Sequence, residues 1–436
     1  MKRTGQELWK KAKTIIPTGN ELLSKRSERF LPENWPSYYK KASGCKIWDL
    51  DDNEYYDFAQ MGVGSCVLGY AHPEVNAVVI EAVSNGSMSS LNSYEEVQLA
   101  EKLISLHPWA QMARFARTGG EACAVGVRIA RAASKKDKVA FCGYHGWHDW
   151  YISSNIGDNS KLDEQLLPGL KPAGVPRQLK SCSLPFFYNN IDSLKTLIAE
   201  NDDIGVIIME PVRNVLPAEG FLEEVREIAT KIGAVLIFDE VTSGFRMNNG
   251  GIHMNFGVEP DMAIFGKALG NGFPIAAIIG KRQVMEAAES SFISSTFWTE
   301  RVGFTAALKT LEIIEREKVY ENLVQYGNQI NEVWRNSAEK AGLEIHISGI
   351  SPLTHISFKN SLSMESQTFY TQEMLKRGYL LGASIYPTNA YSESIINEFG
   401  KHTSEVFLLL AEYLEAGTLI QKLEGPVIET GFKRLN

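Results

Sequence analysis

Residues 204–240 read IGVIIMEPVRNVLPAEGFLEEVREIATKIGAVLIFDE, and they indicate the fold class. The two ends, IGVIIME (204–210) and AVLIFDE (234–240), are short apolar runs rich in β-branched residues. Such continuous runs are typical of strands that are buried on both faces of a parallel sheet. Between them, an apolar 4-3-4 spacing predicts a helical face that ends at a glycine: Phe221, Val225, Ile228, Ile232 and Gly233. The stretch therefore predicts a strand-helix-strand unit.

A third apolar run, DMAIFGK (261–267), extends this pattern towards the C-terminus. The connection from Asp239 to Asp261 is rich in glycine and shows no comparable helix, so we expect a long functional loop there. After Lys267, LGNGFPIAAIIGKR predicts a turn and a returning strand. Two helical patterns follow, over residues 304–318 and 322–342.

The outer parts of the chain contain shorter elements. CKIWDLDDNEYYDFA (45–59) predicts two short strands around an Asp-Asp-Asn turn. Leucines at 4-3 spacing predict a helix over residues 93–107. Near the C-terminus, HISGISPLTHISF (346–358) is strand-like and a final helix is predicted near residues 403–416.

The length of 436 residues corresponds to two or three packed units at about 150 residues per domain. The order of the elements predicts an α/β fold, with a large, mostly parallel-sheet domain over residues 76–315 and a smaller α+β domain over residues 316–436. Residues 1–75 are predicted to form an N-terminal segment that packs with the small domain.

The composition narrows the class of protein. Hydrophobic residues make up 44% of the chain, which excludes a disordered protein. A net charge of −8 without a basic stripe argues against nucleic acid or an anionic membrane as the main partner. We find neither a secretory signal nor an apolar run of about 20 residues. Scattered cysteines without a CxxC pair indicate reduced thiols and a cytoplasmic protein: Cys45, Cys66, Cys123, Cys142 and Cys182.

Three apolar runs each end on a residue that can do chemistry: Glu210, Asp239 and Lys267. Ligands of open α/β sheets bind beyond the carboxyl ends of the strands, so these residues are candidates for one site. For each residue alone, the competing interpretation is that a buried strand simply meets solvent there. All three together favour a site.

An acid and a lysine at one sheet edge suit pyridoxal 5'-phosphate (PLP). This cofactor needs a lysine for a Schiff base, an acid at its pyridinium nitrogen and a phosphate site. Asp239 fits the acid, because a nearby carboxylate keeps the ring nitrogen protonated. Thr118-Gly119-Gly120 precedes a predicted helix, and glycines there let backbone N–H groups approach a phosphate. An ordinary tight turn is the competing interpretation of that segment.

The segment FCGYHGWHDWY (141–151) places five aromatic residues and two histidines in a glycine-punctuated turn. An aromatic platform that stacks on a flat cofactor ring is its functional interpretation, and an aromatic-rich core turn is the alternative. A metal site formed by His145, His148 and Asp149 is disfavoured, because no distant further ligand stands out. Nucleotide-binding motifs are also disfavoured, since GKALGNG lacks the GxxxxGK[ST] pattern and no first strand leads into GxGxxG.

Taken in order, ARTGGEA, CGYHGWHD, IIMEPVRN, IFDEVTSGFR, FGKALGNGFPIAAIIGK and SSTF resemble the class III PLP-dependent aminotransferases. The resemblance is nearest to the glutamate-1-semialdehyde aminomutase branch. It begins at GCKIWDLDDNEYYDF and runs to the C-terminal GPVIETGFKRL, so it covers nearly the whole chain. It implies a fold-type-I homodimer with active sites at the subunit interface, to which residues 1–75 would contribute.

The resemblance also implies residue roles. Lys267 would be the Schiff-base lysine and proton shuttle, and Asp239 would pair with the pyridinium nitrogen. Val241 and Tyr144 would pack on opposite faces of the ring, with His145 nearby. The remaining cofactor-side residues that it implies are Thr118, Gly119 and Gly120 at the phosphate, Thr296 reaching the phosphate of the neighbouring subunit, and Glu210 and Asn214 as supporting residues.

The sequence departs from the family on the substrate side. Phe297 is followed by Trp298-Thr299-Glu300 where the family commonly has Gly-Asn-Pro. The phosphate turn reads Thr-Gly-Gly-Glu instead of Ser-Gly-Thr-Glu. Arg26 or Arg29 would replace the aminomutase's carboxylate-binding arginine, and Val63, in the predicted pocket strand AQMGVGSCVLG, stands about where the aminomutase has tryptophan. These departures argue against glutamate 1-semialdehyde as the substrate.

We therefore predict an aminotransferase that moves an amino group between a small amino donor and an oxo acceptor through a Lys267 Schiff base. An intramolecular aminomutase is the first alternative, and a non-catalytic PLP-binding protein is the second. Polar candidates suit an acidic or polyhydroxylated substrate, although each is also compatible with a solvated surface: Arg26, Arg29, Arg213, Arg246, Glu300 and Arg301. No metal is expected.

Overall fold

The computed structural model describes residues 3–158, 160–163, 165 and 169–429. Residues 430–435, the end of the C-terminal stretch that carries part of the family resemblance, lie outside the described residues.

The chain divides into two compact units. One consists of residues 73–320, and the other combines residues 1–72 with residues 321–436. The helix Val319–Ala341 crosses the boundary between them in the sequence.

The unit of residues 73–320 is built around a seven-stranded sheet. In order across the sheet, its strands are Met112–Ala116, Ala276–Gly280, Met262–Phe265, Val235–Asp239, Ile204–Met209, Lys138–Cys142 and Ser183–Pro185. Ala276–Gly280 runs antiparallel to both of its neighbours, and the other pairs are parallel. The predicted α/β class with a mostly parallel sheet is therefore confirmed. The strand predicted to return after Lys267 is the antiparallel one.

The strand-helix-strand unit predicted for residues 204–240 is present as Ile204–Met209, Phe221–Ile232 and Val235–Asp239. Every residue of the two strands is buried. The helix ends at Gly233, whose φ of 69° is a left-handed conformation that glycine adopts without steric cost.

Both faces of the sheet are covered, because alternate side chains of a strand point in opposite directions. Val206 and Ile208 belong to a core cluster that includes residues of the helix Gly119–Ser134. Ile207 and Met209 belong to a second cluster, with residues of the helix Phe221–Ile232. This two-sided burial explains why the strands are continuous apolar runs rather than alternating ones.

Several helices of this unit pack against the sheet. They include Pro73–Ser84, Tyr94–Leu106, Gly119–Ser134, Asp149–Ile152, Ile191–Glu200, Phe221–Ile232, Arg282–Met285 and Arg301–Glu317. The helices predicted over residues 93–107 and 304–318 are thus confirmed. The second begins three residues early, because the Glu300 carboxylate accepts a hydrogen bond from the Val302 N–H at 2.8 Å.

The other unit contains two smaller sheets. The first orders Tyr39–Ser43, Lys46–Asp49, Glu54–Phe58 and Tyr379–Leu381, and the second orders Ile345–Ser348, Thr354–Phe358 and Ser384–Ile385. Its helices include Thr4–Ile15, most of Val319–Ala341, Ser363–Lys376 and Glu393–Glu415. The Asp-Asp-Asn turn between the second and third strands is confirmed; the Asp49 carboxylate accepts the Asp51 and Asn53 N–H groups, each at 2.9 Å.

Two expectations for this unit are wrong. The final helix begins at Glu393 instead of near residue 403, because the Ser392 hydroxyl caps it by accepting the Ile395 N–H. AQMGVGSCVLG contains no strand: residues 61–64 form a left-handed turn in which Met61 has a φ of 39° and Val63 a φ of 59°. Left-handed backbone is rare for a β-branched residue, so apolar content alone gave no warning of this turn.

Within the described part of the chain, no helix combines the length and the apolar character that crossing a membrane requires.

Candidate active site

Adjacent parallel strands bring the three predicted residues to one sheet edge. Glu210 follows the strand Ile204–Met209 directly, and Asp239 is the last residue of its own strand. Lys267 follows the next strand, Met262–Phe265, after one glycine. These strands are neighbours in the sheet, so their carboxyl ends meet in the position where open α/β sheets bind ligands.

Asp239 is a buried carboxylate held by three donors. Its Oδ2 lies 2.8 Å from His145 Nδ1 and accepts the Cys123 thiol at 3.2 Å. Its Oδ1 accepts the Val241 N–H at 3.1 Å. The other ring nitrogen of His145 lies 3.1 Å from the Cys142 carbonyl oxygen, so the imidazole is held at both ends. The carboxylate is therefore fixed in position by its hydrogen bonds.

Lys267 is constrained at its backbone and at its amine. Its φ of 37° lies in the left-handed region, which is strained for a side chain of this size. Its Nζ donates a hydrogen bond to Thr242 Oγ1 at 2.8 Å. Burial lowers the pKa of the amine to about 8, and the positive charges of Arg213 and Arg246 act in the same direction.

The negative charges of Glu210 and Asp239 oppose that shift without cancelling it. A lysine with a pKa near 8 is partly neutral at physiological pH, as a nucleophile or proton carrier must be.

The glycine turn begins the helix Gly119–Ser134 in a way that suits an anion. Thr118 caps the helix, and the Glu121 carboxylate accepts the Thr118 N–H at 3.0 Å, which forms a capping box. A Cβ on Gly119 would lie 2.8 Å from Val241 Cγ1, and one on Gly120 would lie 3.3 Å from the His148 ring. A side chain at either glycine would therefore have to displace a neighbouring residue.

A further observation supports the fit of a phosphate there. His148 Nδ1 is buried without a hydrogen-bond partner among the described residues, and the ring lies beside Gly120. Burial also lowers the pKa of His148. A helix N-terminus, two bare glycines and an unsatisfied imidazole nitrogen together fit the phosphate group of PLP.

The aromatic turn is anchored to the same sheet edge. The Tyr144 N–H donates to Glu210 Oε2 at 3.0 Å, and Glu210 Oε2 also lies 3.1 Å from Arg213 Nη1. The Arg213 guanidinium stands 5.9 Å from the centre of the Tyr144 ring. Tyr144 and Val241 both pack against the core cluster around the helix Gly119–Ser134. Glu210 thus connects the aromatic turn with a cation that influences Lys267.

The segment that carries Thr296 and Trp298 is held by an arginine next to the glycine turn. Thr296–Thr299 is a short 3-10 turn, in which Thr296 is exposed and Trp298 is half-buried. Arg117 Nε donates to the Phe297 carbonyl at 2.7 Å, and Arg117 Nη2 donates to the Trp298 carbonyl at 3.2 Å and to the Glu300 carbonyl. The Trp-Thr-Glu departure noted in the sequence is therefore part of an ordered turn.

The structure gives less support to the roles predicted for the remaining site residues. Asn214 is exposed, and none of the hydrogen bonds described above involves it. Arg26, Arg29 and Val63 belong to the unit of residues 1–72 and 321–436, in which the Arg26 side chain is buried.

Sequence reasoning missed two residues that contact the core of the site. Cys123 donates to Asp239, and its position one helical turn after Gly119 was a signal, because residues four apart lie on the same helix face. Thr242 binds Lys267 from the loop after Asp239, where only tertiary packing brings the two together. Arg246, a candidate substrate ligand in the sequence, is fully buried and donates from Nε to the Thr242 carbonyl at 2.6 Å.

The donors around Asp239 also have the composition of a metal site. Cys123 Sγ, a His145 ring nitrogen and an Asp239 oxygen lie within 4.8 Å of one another. Hydrogen bonds between these groups account for the arrangement, since the thiol and the imidazole both contact the carboxylate.

Comparison with known proteins assigns the family. A model of the family "Aminotransferase class-III" matches residues 32–389. The chain therefore belongs to the class III aminotransferases, and its cofactor is PLP.

Curated relatives in this family cover nearly the full length of the chain. The 3-aminobutyryl-CoA aminotransferase of Cloacimonas acidaminovorans is 33% identical over 386 residues, covering 86% of this chain and 89% of the relative. The glutamate-1-semialdehyde 2,1-aminomutase of Ignicoccus hospitalis is 32% identical over 429 residues, covering 93% of this chain and 99% of the relative.

Solved structures share the fold. The PLP internal aldimine form of the Sphingopyxis sp. MTA144 FumI protein superposes with a TM-score of 0.85 at 24% identity, covering 94% of this chain and 97% of the other. An omega-transaminase from Sphaerobacter thermophilus superposes with a TM-score of 0.82 at 24% identity, covering 94% and 98%. At this identity the similarity concerns the fold, which is that of PLP-dependent transaminases.

Proposed function

We propose that this chain is a PLP-dependent aminotransferase in which Lys267 binds the cofactor covalently and transfers the proton that the amino substrate loses. The observation that supports this most directly is the placement of Lys267, with a pKa of about 8, at the sheet edge that also presents the fixed carboxylate of Asp239. The substrates are a small amino donor and an oxo acceptor. The partly buried Arg213 guanidinium, one of the positive charges that act on Lys267, supports an acidic or polyhydroxylated substrate.

In this proposal, each part of the cofactor would be held by residues already described. The N–H groups of Gly119 and Gly120 would bind the phosphate, and Thr118 orders that turn through its capping box. The Asp239 carboxylate would accept a hydrogen bond from the pyridinium N–H, and Val241 and Tyr144 would contact the two faces of the ring. When bound, PLP supplies the electron sink that makes the Cα–H bond of an amino substrate acidic.

Lys267 supplies the proton transfer. When it is not bonded to the cofactor, the Lys267 amine would accept the proton from the Cα of the amino substrate and, as an ammonium, would donate it to the cofactor carbon. A pKa near 8 makes both directions accessible, because neither protonation state is strongly favoured near neutral pH. Burial keeps bulk water from competing as the base.

Asp239 and its partners supply the electrostatic part. A fixed carboxylate needs no reorganisation to stabilise the positive charge of the neighbouring ring nitrogen, which lets the ring accept electrons. His145 and Cys123 prevent the carboxylate from rotating away, and the Val241 N–H ties it to the residue that would pack on the ring. His145 therefore acts as a positioning residue.

A homodimer with the active site at the subunit interface is part of this proposal. Thr296 lies in an exposed turn, next to Phe297, which is 69% exposed. Phe292 and Leu91 expose 86% and 83% of their surfaces in the same unit. Large exposed apolar side chains support burial against another subunit. Residues 1–75 would contribute to that interface, and the five free thiols support a cytoplasmic location.

Substrate specificity is proposed to lie with the residues that depart from the family. Trp298 would border the pocket, and Arg26 or Arg29 would bind a substrate anion. Val63 is smaller than the tryptophan of the aminomutase and would leave a larger pocket. The chemistry of Lys267 and Asp239 is compatible with several substrates, so these four residues are the ones to vary.

An intramolecular aminomutase would use the same lysine and aspartate, and relatives of both kinds match the chain at similar identity. The two functions differ in their products. With a donor alone, an aminotransferase releases one oxo product per active site. An aminomutase instead converts its substrate into an isomer and needs no separate acceptor.

The experiment is a visible absorption spectrum of the purified holoenzyme during titration with L-glutamate, L-alanine and a simple diamine. We expect the absorption of the lysine-bound cofactor to bleach with one donor while oxo product accumulates. The matched control is Lys267→Ala, which should bind PLP without the lysine-dependent absorption.

Three outcomes would count against parts of the proposal. An unbleached spectrum with every donor, together with isomerisation of glutamate 1-semialdehyde, would favour the aminomutase. A holoenzyme inert to all these compounds would favour a non-catalytic PLP-binding protein. Near-normal turnover in Lys267→Ala would refute the role of that lysine.

A further inference from the structure

We propose that Thr242 is a catalytic residue whose hydroxyl holds the Lys267 amine whenever that amine is not bonded to the cofactor. This inference rests on the proposed function, because it concerns the lysine that the reaction releases. The observation behind it is the hydrogen bond from Lys267 Nζ to Thr242 Oγ1 at 2.8 Å.

Thr242 is itself well fixed. It is a buried residue, and its carbonyl oxygen accepts the Arg246 Nε–H at 2.6 Å. Arg246 is fully buried, so this contact leaves the loop little freedom to move. Lys267 is fixed at its other end by its left-handed backbone. The lysine thus runs between two constrained points, and a released amine has a defined position to return to.

The loop that carries Thr242 is held from a second side as well. The Glu240 carboxylate accepts the Ile252 N–H at 2.6 Å and the His253 N–H at 3.0 Å, and the Ser243 hydroxyl donates to it at 3.3 Å. All of these groups are buried. The hydroxyl of Thr242 is therefore presented by a rigid loop rather than by a mobile one, as a residue acting on a reacting amine requires.

The hydroxyl also affects the protonation of the amine. Four charged groups act on Lys267: Arg213 and Arg246 lower its pKa, and Glu210 and Asp239 raise it. A hydroxyl acceptor binds an ammonium more strongly than an amine, so Thr242 acts with the carboxylates. Removing this hydroxyl should therefore lower the pKa of Lys267, by roughly half to one pH unit for one ordinary hydrogen bond.

The test uses covalent attachment of PLP to cofactor-free protein, which is separate from turnover. The rate at which the lysine-dependent visible absorption appears is measured from pH 6 to pH 10 in wild type and Thr242→Val. Attachment needs the neutral amine, so we expect its pH midpoint to move down by roughly half to one unit in the variant. At pH 7 this means attachment about three- to fivefold faster than in wild type, since about one-tenth of the wild-type amine is neutral there.

The second readout is a single half-reaction with the donor found for the wild type. Because the released amine is no longer held, this step should be about five- to tenfold slower in Thr242→Val, the effect of one hydrogen bond. Faster attachment combined with a slower half-reaction is a signature that general damage to the site would not produce.

Two controls isolate the hydroxyl. Thr242→Ser keeps it and should restore the midpoint of attachment. Ser243→Ala removes the neighbouring hydroxyl, which contacts Glu240 and not Lys267, and should leave the midpoint in place. If Thr242→Val does not fold, Thr242→Ala removes the same group with less demand on packing.

The inference is wrong if folded Thr242→Val or Thr242→Ala attaches PLP with the wild-type midpoint. It is also wrong if Thr242→Ser shifts the midpoint as far as valine does. Failure of the proposed function would look different, because then wild type itself would develop no lysine-dependent absorption.

Discussion

The absence of a side chain at Gly119 provides a sharp test of the proposed phosphate-binding turn. A Cβ added there would lie 2.8 Å from Val241 Cγ1 and 3.1 Å from Val241 Cγ2, whereas carbon atoms in ordinary contact are about 3.5–4.0 Å apart. Valine has one stiff side-chain torsion, so it cannot rotate away easily and must shift with its backbone. That backbone includes the N–H that binds Asp239 at 3.1 Å.

The size of the effect of Gly119→Ala follows from these contacts. Overpacking of this kind costs about 1–3 kcal/mol. Alanine recovers up to about 1 kcal/mol through its higher helix propensity. Since the displaced Val241 is proposed to contact the cofactor ring, most of the remaining cost should appear in binding. We expect the dissociation constant of PLP to rise roughly 5- to 30-fold, which corresponds to about 1–2 kcal/mol.

Titration of cofactor-free protein with PLP, followed by visible absorption, measures this constant. Gly126→Ala is the matched control: it makes the same change in the same helix, but its Cβ would meet the flexible end of Ile264 in the core, at 3.1 Å. We expect its dissociation constant to stay within about twofold of wild type. Wild-type affinity in Gly119→Ala, or equal weakening in both variants, would refute the reasoning.

Three further predictions concern the charged groups. Lys267→Ala should abolish the lysine-dependent absorption and lower turnover by roughly three orders of magnitude or more, while PLP still binds in equilibrium dialysis; turnover close to wild type would contradict the assignment. Asp239→Asn should lower kcat/KM by roughly 10²–10³, because the fixed negative charge is lost while the shape is kept. Steady-state kinetics on folded protein measure this loss, and a wild-type kcat/KM in the variant would contradict the role of Asp239. Burial lowers the pKa of His107 from 6.5 to about 4. The unfolded chain therefore binds the extra proton first as the pH falls, and this histidine alone should reduce the free energy of unfolding by about 3 kcal/mol between pH 6.5 and pH 4. Denaturant titrations at several pH values measure the free energy of unfolding of wild type and His107→Gln. This free energy should depend less steeply on pH in the variant, and identical pH dependences would exclude His107 as the cause.

Most of the large unit was predictable, because its signals are local. Buried parallel strands need continuous apolar residues, and the helix between two of them needs one apolar face and a stop, as residues 204–240 show. Polar residues that interrupt such runs mark the carboxyl ends of the strands. The residue pattern is therefore enough to assign Glu210, Asp239 and Lys267 to one edge of the sheet.

Predictions failed where the signal was weak or misleading. The helix Glu393–Glu415 was predicted about ten residues short at its start, since helix ends depend on caps such as Ser392. The turn at residues 61–64 resembles an ordinary apolar segment, yet Val63 is left-handed. Backbone strain of this kind is imposed by surrounding structure and leaves little trace in residue type.

The amino-acid order alone was sufficient for the sheet, for the position of Glu210, Asp239 and Lys267 at one edge of it and for the family, because each depends on patterns within some tens of residues. The partners of the reacting groups depended on folding. Cys123 and His145 meet Asp239 from 116 and 94 residues away, and Thr242 meets Lys267 across 25. No periodicity links residues so far apart; they come together because the sheet places separate strand ends side by side and burial requires each polar group to find a partner.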